Sequence, residues 1–290
     1  VLSGEARTDP KSASIEPLRA LNITRRSAIK AQQATWRQIG CVLVNAPAAV
    51  RDRYRNLPDA KLLSVLAGLR PGRCLDPDEA DLLYSLRVLA RRHRDLGTEI
   101  KDIEARMLAR ATRANPGLMA IKGVGPVTGT QLLITAGDNP DRLRSSASFA
   151  ALCGTSPMPV SSGRTDRHRL SRGGDRQANS ALHRIAKNRM THDPATRAYR
   201  DSHLDKGWTL PAVYRALKRA VAREIFQALT GHCSVPDYSD LRPSRQAKNI
   251  TLTNAATALG VWPARVGELE LSRRRDDDFA DRYRAWLAAA

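Results

Sequence analysis

No stretch of this sequence approaches the roughly eighteen consecutive apolar residues that a helical bilayer span requires, and neither end reads as a secretory signal or a basic amphipathic anchor. These absences exclude a helical membrane span and lead to the expectation of a cytoplasmic chain with no membrane partner. Cysteine is sparse. Cys41, Cys74, Cys153 and Cys233 stand far apart with no CxxC or CxxH spacing, so neither a disulfide framework nor a zinc site is indicated, and reduced, mostly buried thiols are expected. Acidic residues are too few to balance the basic ones: 29 Asp and Glu face 48 Lys and Arg over 290 residues, a formal charge of +19. An excess of that size calls for a polyanionic partner, and nucleic acid is the commonest one. No internal repeat is visible. A 42 % share of hydrophobic residues nonetheless supplies a real core, and the length suits two or three domains.

What is present is mainly helical in pattern. From Pro17 to about Val44, Ile29, Gln32, Trp36, Ile39 and Leu43 recur by threes and fours, and Pro47 ends that run. A short helix is expected near Asp59 to Leu69, stopped by Arg70-Pro71-Gly72. Leu82, Leu86, Leu89, His93, Leu96, Ile100, Ile103 and Met107 then alternate four and three without a slip, the mark of a coiled-coil seam. Its partner is either the first helix, folded back antiparallel, or the same stretch in another copy. His93, the one polar intruder, suits a register-tuning role.

After Asn115-Pro116-Gly117 the composition turns to small residues and glycines, which places a boundary near residue 112. Helical patterns resume at Ser145–Cys153, Arg176–Met190, Pro194–Leu204 and Pro211–Leu229, and no long alternating strand pattern appears. A further segment from about Leu241 follows the loop HCSVPDYSD. The expected organisation is therefore 1–16 as a linker, 17–112 as a helical coiled-coil region, 113–232 as a second helical domain and 241–290 as a small terminal module.

Two segments carry chemistry. Lys122-Gly123-Val124-Gly125-Pro126 ahead of an apolar helix suits a helix-hairpin-helix turn: the glycines permit a tight bend, the helix N-terminus can face a phosphate, and Lys122 adds charge. A plain inter-helix turn fits the same residues. Between Ser162 and Arg189 eight Arg or Lys stand against two Asp, so 28 residues carry +6 of the +19. Pro157 and Pro159 impose an extended approach, Ser161-Ser162-Gly163 a flexible turn, and Gly173-Gly174 a second turn before a helix capped near Asp175. On that helix Arg176, His183 and Lys187 share one face, opposite Leu182, Ile185 and Ala186. A serine hydroxyl among guanidinium groups is what phosphoryl transfer through a phosphoserine needs. On residues alone the alternative stays open that both serines are turn residues and the arginines only bind phosphate.

The segments GVGP, LLITAGDNPDRLRS, FAALCG, PVSSGRTDRHRLSRGGDRQANSALH and LKRAVAREIF resemble the C-terminal domain of the transposases of the insertion-sequence 110 family, also written 116/110/902. The helices from about Ser12 to Arg110 resemble that family's central coiled-coil region. The resemblance implies a DNA recombinase in which a serine becomes joined to DNA. Ser162, the serine before glycine, matches that position, with Ser161 as the fallback, and Arg164, Arg167, Arg169, Arg172 and Arg176 would grip phosphates. It also implies DNA and a structured guide RNA as partners, and a homo-oligomer paired through the coiled coil. An N-terminal RuvC-like domain holding Mg2+ on acidic residues is implied too. The opening VLSGEARTDP has no initiator methionine, and the family's metal-binding aspartates would precede it. The expectation is a fragment whose own residues hold no metal, since Asp276-Asp277-Asp278 reads as a solvated run. A DNA- and RNA-binding dimer without catalysis is the alternative function.

In the terminal segment, Thr251-Leu252-Thr253, Ala255-Ala256, Leu259-Gly260 and Val266–Leu269 resemble a repressor-type helix-turn-helix with its turn at Gly260 and its second helix from about Trp262. Gly267 and Leu271 stand where such repressors carry a serine and an arginine, so a packing module fits equally well. Tyr283 and Trp286 are its expected core.

Overall fold

The computed structural model describes residues 15–74, 76–137, 143–162, 165–170, 173–231, 237–271 and 275–290, with the course of the main chain alone over 159–162 and 165–170. Among them are fourteen α-helices, one 3-10 turn and one two-stranded hairpin, so the chain is mainly α. It divides into two compact units, Val1–Arg110 and Ala111–Ala290.

In the first unit, α1 (Glu16–Asn45) and α4 (Pro77–Ala114) lie antiparallel. The order of contacts sets the direction: Arg25 binds Glu104 at 2.6 Å, while Gln32 donates to the His93 carbonyl at 3.2 Å and Trp36 packs tilted on the His93 ring. The partner of the α4 seam is thus the first helix of the same chain. Short helices α2 (Ala48–Tyr54) and α3 (Asp59–Ala67) close one end, where Ile39, Val50, Tyr54, Leu62, Leu66, Leu83, Leu86 and Ala90 form the core. The buried stripe here runs through Leu83, Leu86 and Ala90, with Leu82 and Leu89 half-buried beside it. It resumes at Ile103, Met107 and Ala111, and between these ends Leu96 and Ile100 are only half-buried.

The second unit begins with α5 (Pro116–Ala120), whose cap Asn115 accepts from the Leu118 N–H and donates to the Ala228 carbonyl. Next come α6 (Pro126–Ala136), α7 (Ser146–Leu152), the strands β1 (Pro157–Ser162) and β2 (Thr165–Leu170), α8 (Arg176–His192), α9 (Pro194–Asp205) and α10 (Leu210–Leu229). Within this mainly helical unit the hairpin places Ser161 and Ser162, expected in a turn, at the end of β1. Its strands are six residues each, and the prolines and charges in them hide any period-two alternation. Helices α6, α7, α8 and α10 share a core that includes Leu132, Phe149, Leu182, Ile185, Val221 and Ile225. Gly129 lies close against Met119 in it: a Cβ there would stand 2.4 Å from the Met119 sulfur, so the thioether would have to move. The thiols depart from expectation: of the three described, Cys153 is buried but Cys74 is half-buried and Cys41 exposed.

The last four helices, α11 (Leu241–Ala247), α12 (Leu252–Leu259), α13 (Pro263–Glu270) and α14 (Asp277–Ala289), pack around Tyr283, Phe279, Val266 and Leu241, with Trp286 half-buried against them. Gly260 takes the left-handed conformation (φ 67°, ψ 36°) that turns α12 into α13. Arg245 grips Glu270 through two bonds of 2.6 and 3.0 Å inside this core, and the Tyr283 hydroxyl donates to the same carboxylate at 2.7 Å. Burial and that carboxylate push the Tyr283 phenol well above its ordinary range. Glu270→Ala strands a buried guanidinium and a buried phenol, so denaturation of this module should lose about 3–5 kcal/mol. A urea titration showing a loss below about 1 kcal/mol contradicts that role.

Candidate functional site

The hairpin is inserted between α7 and α8, and both of its ends are fixed at the C-terminus of α7. On the entering side Thr155 is buried, its N–H and hydroxyl both donating to the Ala150 carbonyl at 2.8 and 3.0 Å. On the leaving side the Asp175 N–H donates to the Leu152 carbonyl at 2.7 Å. Gly174 makes this closure possible. Its φ is +86°, and a Cβ would stand 2.5 Å from the Leu152 oxygen and 2.7 Å from that of Ala151.

Asp175 then starts α8. One carboxylate oxygen accepts from the Gln177 and Ala178 N–H groups, and the other accepts from the Thr135 hydroxyl at 2.6 Å, tying the cap to α6. One turn later Asn179 donates its amide N–H bonds to the Cys153 carbonyl at 3.0 Å and the Gly154 carbonyl at 2.9 Å. Its oxygen accepts from the Lys218 ammonium at 3.0 Å. Lys218 lies on α10 and is only 6 % exposed. Burial, with Arg215 nearby, lowers its pKa. An ammonium can only donate, so Lys218 fixes which end of the amide faces it and aims the NH2 at the two carbonyls. Burial and the Asp175 charge push the Cys153 thiol up to about 12, so it is an inert member of this junction.

The strands pair antiparallel, with Ser162 opposite Thr165, Ser161 opposite Asp166, Val160 opposite Arg167, Pro159 opposite His168 and Met158 opposite Arg169. Counting by twos, Ser162 occupies the same ribbon face as Arg167 and Arg169, whereas Ser161 shares the other with Asp166 and His168. Arg164 and Arg172 lie outside the described residues. Arg176, His183 and Lys187 are all exposed on α8, as the pattern of that helix requires. His183 stacks on Tyr214 of α10 with ring centroids 4.6 Å apart, and burial together with Lys218 and Lys187 lowers its pKa.

The Lys122–Gly125 turn is placed elsewhere, against the C-terminal half of α8. Gly123 has φ +83° and packs on Ile185 and Arg189. The Lys122 ammonium binds Asp193 at 2.7 Å, and its carbonyl accepts from Arg189 at 2.7 Å. Burial alone would raise the Asp193 pKa, but the bonds from Lys122 and Thr196 outweigh it and hold the carboxylate below its usual range. Gly125 is extended at the start of α6, with its N–H donating to the Thr128 hydroxyl at 2.9 Å. The turn is thus tied to α8 by two polar bonds, not presented beside the hairpin. Sequence reasoning missed Asn179 and Lys218. The readable signal was a lysine standing in the buried phase of α10 with Val221, Ala222 and Ile225.

Among the described residues no group of three or more His, Cys, Asp or Glu could hold a metal ion, and no helix is long and apolar enough to cross a membrane.

Residues 115–201 match the Transposase IS116/IS110/IS902 family. Over 157 residues the chain is 32 % identical to the insertion element IS110 uncharacterized 43.6 kDa protein of Streptomyces coelicolor, an alignment covering 53 % of this chain and 37 % of that protein. The chain thus spans well under half the length of this curated relative. The family match, residues 115–201, includes the hairpin, Asp175 and Asn179 and ends before Lys218.

The closure at Gly174 gives a comparison between two left-handed glycines. Gly260→Ala, with open space around its Cβ, should lower stability by about 1 kcal/mol. Gly174→Ala adds a backbone clash and should cost on the order of 3 kcal/mol. Thermal melts giving equal losses contradict the account of the junction.

Proposed function

From the premise that residues 115–201 are a transposase domain of the IS116/IS110/IS902 family, we propose that this chain takes part in DNA transposition with Ser162 as the nucleophile. The register of the hairpin carries the choice of residue. Ser162 stands at the turn end of the ribbon, on the face that Arg167 and Arg169 also occupy, while Ser161 falls on the opposite face beside Asp166. In the step itself the Ser162 Oγ–P bond forms as one P–O bond to a DNA sugar breaks. The hydroxyl proton leaves the serine, and the departing sugar oxygen takes up a proton. The guanidinium groups would stabilise the charge on the phosphate oxygens, with Arg164, Arg172 and Arg176 extending the grip along the backbone. Serine attack leaves a covalent link that conserves the energy of the phosphodiester for rejoining.

The same reading makes DNA and a structured guide RNA the polyanions matched to the +19 charge, and places the work in the cytoplasm. Homo-oligomerisation would use α4, whose middle residues Leu96 and Ile100 remain half-buried in the single chain. Mg2+ would be held by the acidic residues of a RuvC-like domain, as the family resemblance implies. A binding role without catalysis is the second reading, favoured by the exposed cations Arg176 and Lys187 on α8, which can hold phosphate whether or not a serine reacts.

The chain, supplied with a RuvC-like segment in trans, should form a protease-sensitive, slower-migrating adduct with element-end DNA. Ser162→Ala should abolish the adduct and keep DNA affinity within about twofold, since the phosphate-binding cations remain, and Ser161→Ala should retain it. An adduct persisting in Ser162→Ala overturns the assignment. Separately, DNA affinity should fall steeply with salt, log K against log [salt] having a slope of about −5 or steeper if six or more phosphates are neutralised. A flat slope rules out the backbone grip.

A further inference from the structure

Helix α9 has no buried residue, yet it carries a built aromatic cluster. The Tyr199 and His203 rings lie 4.0 Å apart at 32°, and Trp208 meets His203 edge-on at 4.6 Å and 77°. The backbone sets this arrangement. Gly207 takes φ +81°, its N–H donating to the Leu204 carbonyl at 2.9 Å while the Trp208 N–H donates to the His203 carbonyl at 3.0 Å. This helix-ending motif folds the chain back and lays the indole against the imidazole. The imidazole is oriented in turn by a 2.8 Å bond between its Nδ1 and the Tyr199 carbonyl. The rings are therefore held in place while Tyr199 and Trp208 stay 37 % and 42 % exposed, in a chain with only 13 Phe, Trp and Tyr.

We infer that Tyr199, His203 and Trp208 form a stacking platform for an unpaired segment of DNA. Every nucleobase offers an aromatic face, but only an unpaired strand offers it without first breaking the base stack. Charge fits the occupant. Residues 176–229 contain eleven Arg and Lys against four Asp and Glu. Arg197, two residues before Tyr199, and Lys206, two residues before Trp208, are both exposed, whereas the Asp201 carboxylate is bound by Arg200 at 2.7 Å. A phosphate backbone can thus follow the cations while a base covers a ring. Strand transfer produces unpaired DNA next to the cleaved phosphate, which is the stage at which such a platform would act. This inference rests on the DNA-handling reading above but not on the identity of the nucleophile.

The test uses the whole chain with oligo(dT), oligo(rU) and duplex DNA of equal length. Trp208→Ala should weaken oligo(dT) binding about tenfold, the effect of losing one base–aromatic stack, and change duplex binding less than about twofold. Trp208→Phe should keep most of the affinity. If Trp208→Ala does not fold, Tyr199→Leu and ultraviolet crosslinking of the unaltered chain to oligo(dT) decide, with crosslinks expected at Tyr199 or Trp208. Unchanged oligo(dT) binding, equal loss on duplex, loss confined to oligo(rU) or crosslinks elsewhere each overturn the platform. If the serine adduct fails while the oligo(dT) loss is seen, only the nucleophile assignment falls. A chain that binds none of the three oligonucleotides overturns both.

Discussion

A buried ammonium bonded to an amide oxygen holds the base of the hairpin in place. Lys218 reaches from α10 to the Asn179 oxygen, and so turns the amide hydrogens onto the Cys153 and Gly154 carbonyls where the hairpin begins. Those carbonyls close α7, and the negative end of a helix is where a positive charge is best tolerated. Burial of the lysine is thus compensated by the same groups that it helps to organise. Removing any member leaves a buried polar group without a partner, the most costly kind of loss in a core.

The junction explains how a six-residue-per-strand hairpin, too short to be stable alone, can be carried by a helical domain. Its two ends are joined by the Gly174 closure and the Asp175 bond to Leu152, so the ribbon inherits its position from α7 and α8. Beyond the junction, α8 carries Arg176 and Lys187 exposed. Cations that do enter the interior are fixed individually: Lys218 by an amide, Arg245 by a carboxylate, Arg189 by the Lys122 carbonyl and by Glu224.

Much of this was legible in the sequence because it depends on periodicity. The three-four spacing of Trp36, Ile39 and Leu43, and of Leu86 onward, set two long helices, and the apolar phase of α8 left Arg176, His183 and Lys187 exposed. Gly260 marked the turn between α12 and α13, and Asp175 the start of α8. The strands were not legible: Pro157, Pro159 and the arginines of β2 give no alternation, and the ribbon exists because its ends are held by residues outside it. Lys218 was hidden for a related reason. Its place in the apolar phase of α10 marks it as unusual, but its role depends on the Asn179 oxygen 39 residues earlier. The pairing of Lys122 with Asp193 is another contact between distant residues that no local pattern announces. Nor does a spacing rule reveal the ring cluster on α9, which depends on the left-handed turn at Gly207.

The most direct test of this account is amide hydrogen exchange across residues 154–170 in Lys218→Met, which preserves the length of the side chain and removes its charge and donors. If the ammonium holds the junction, exchange at Thr155 and along both strands should accelerate about tenfold or more, as a loss of about 1.4 kcal/mol in local opening requires, while α1 and α4 exchange at their original rates. Unchanged protection of the hairpin in a folded Lys218→Met chain would contradict it.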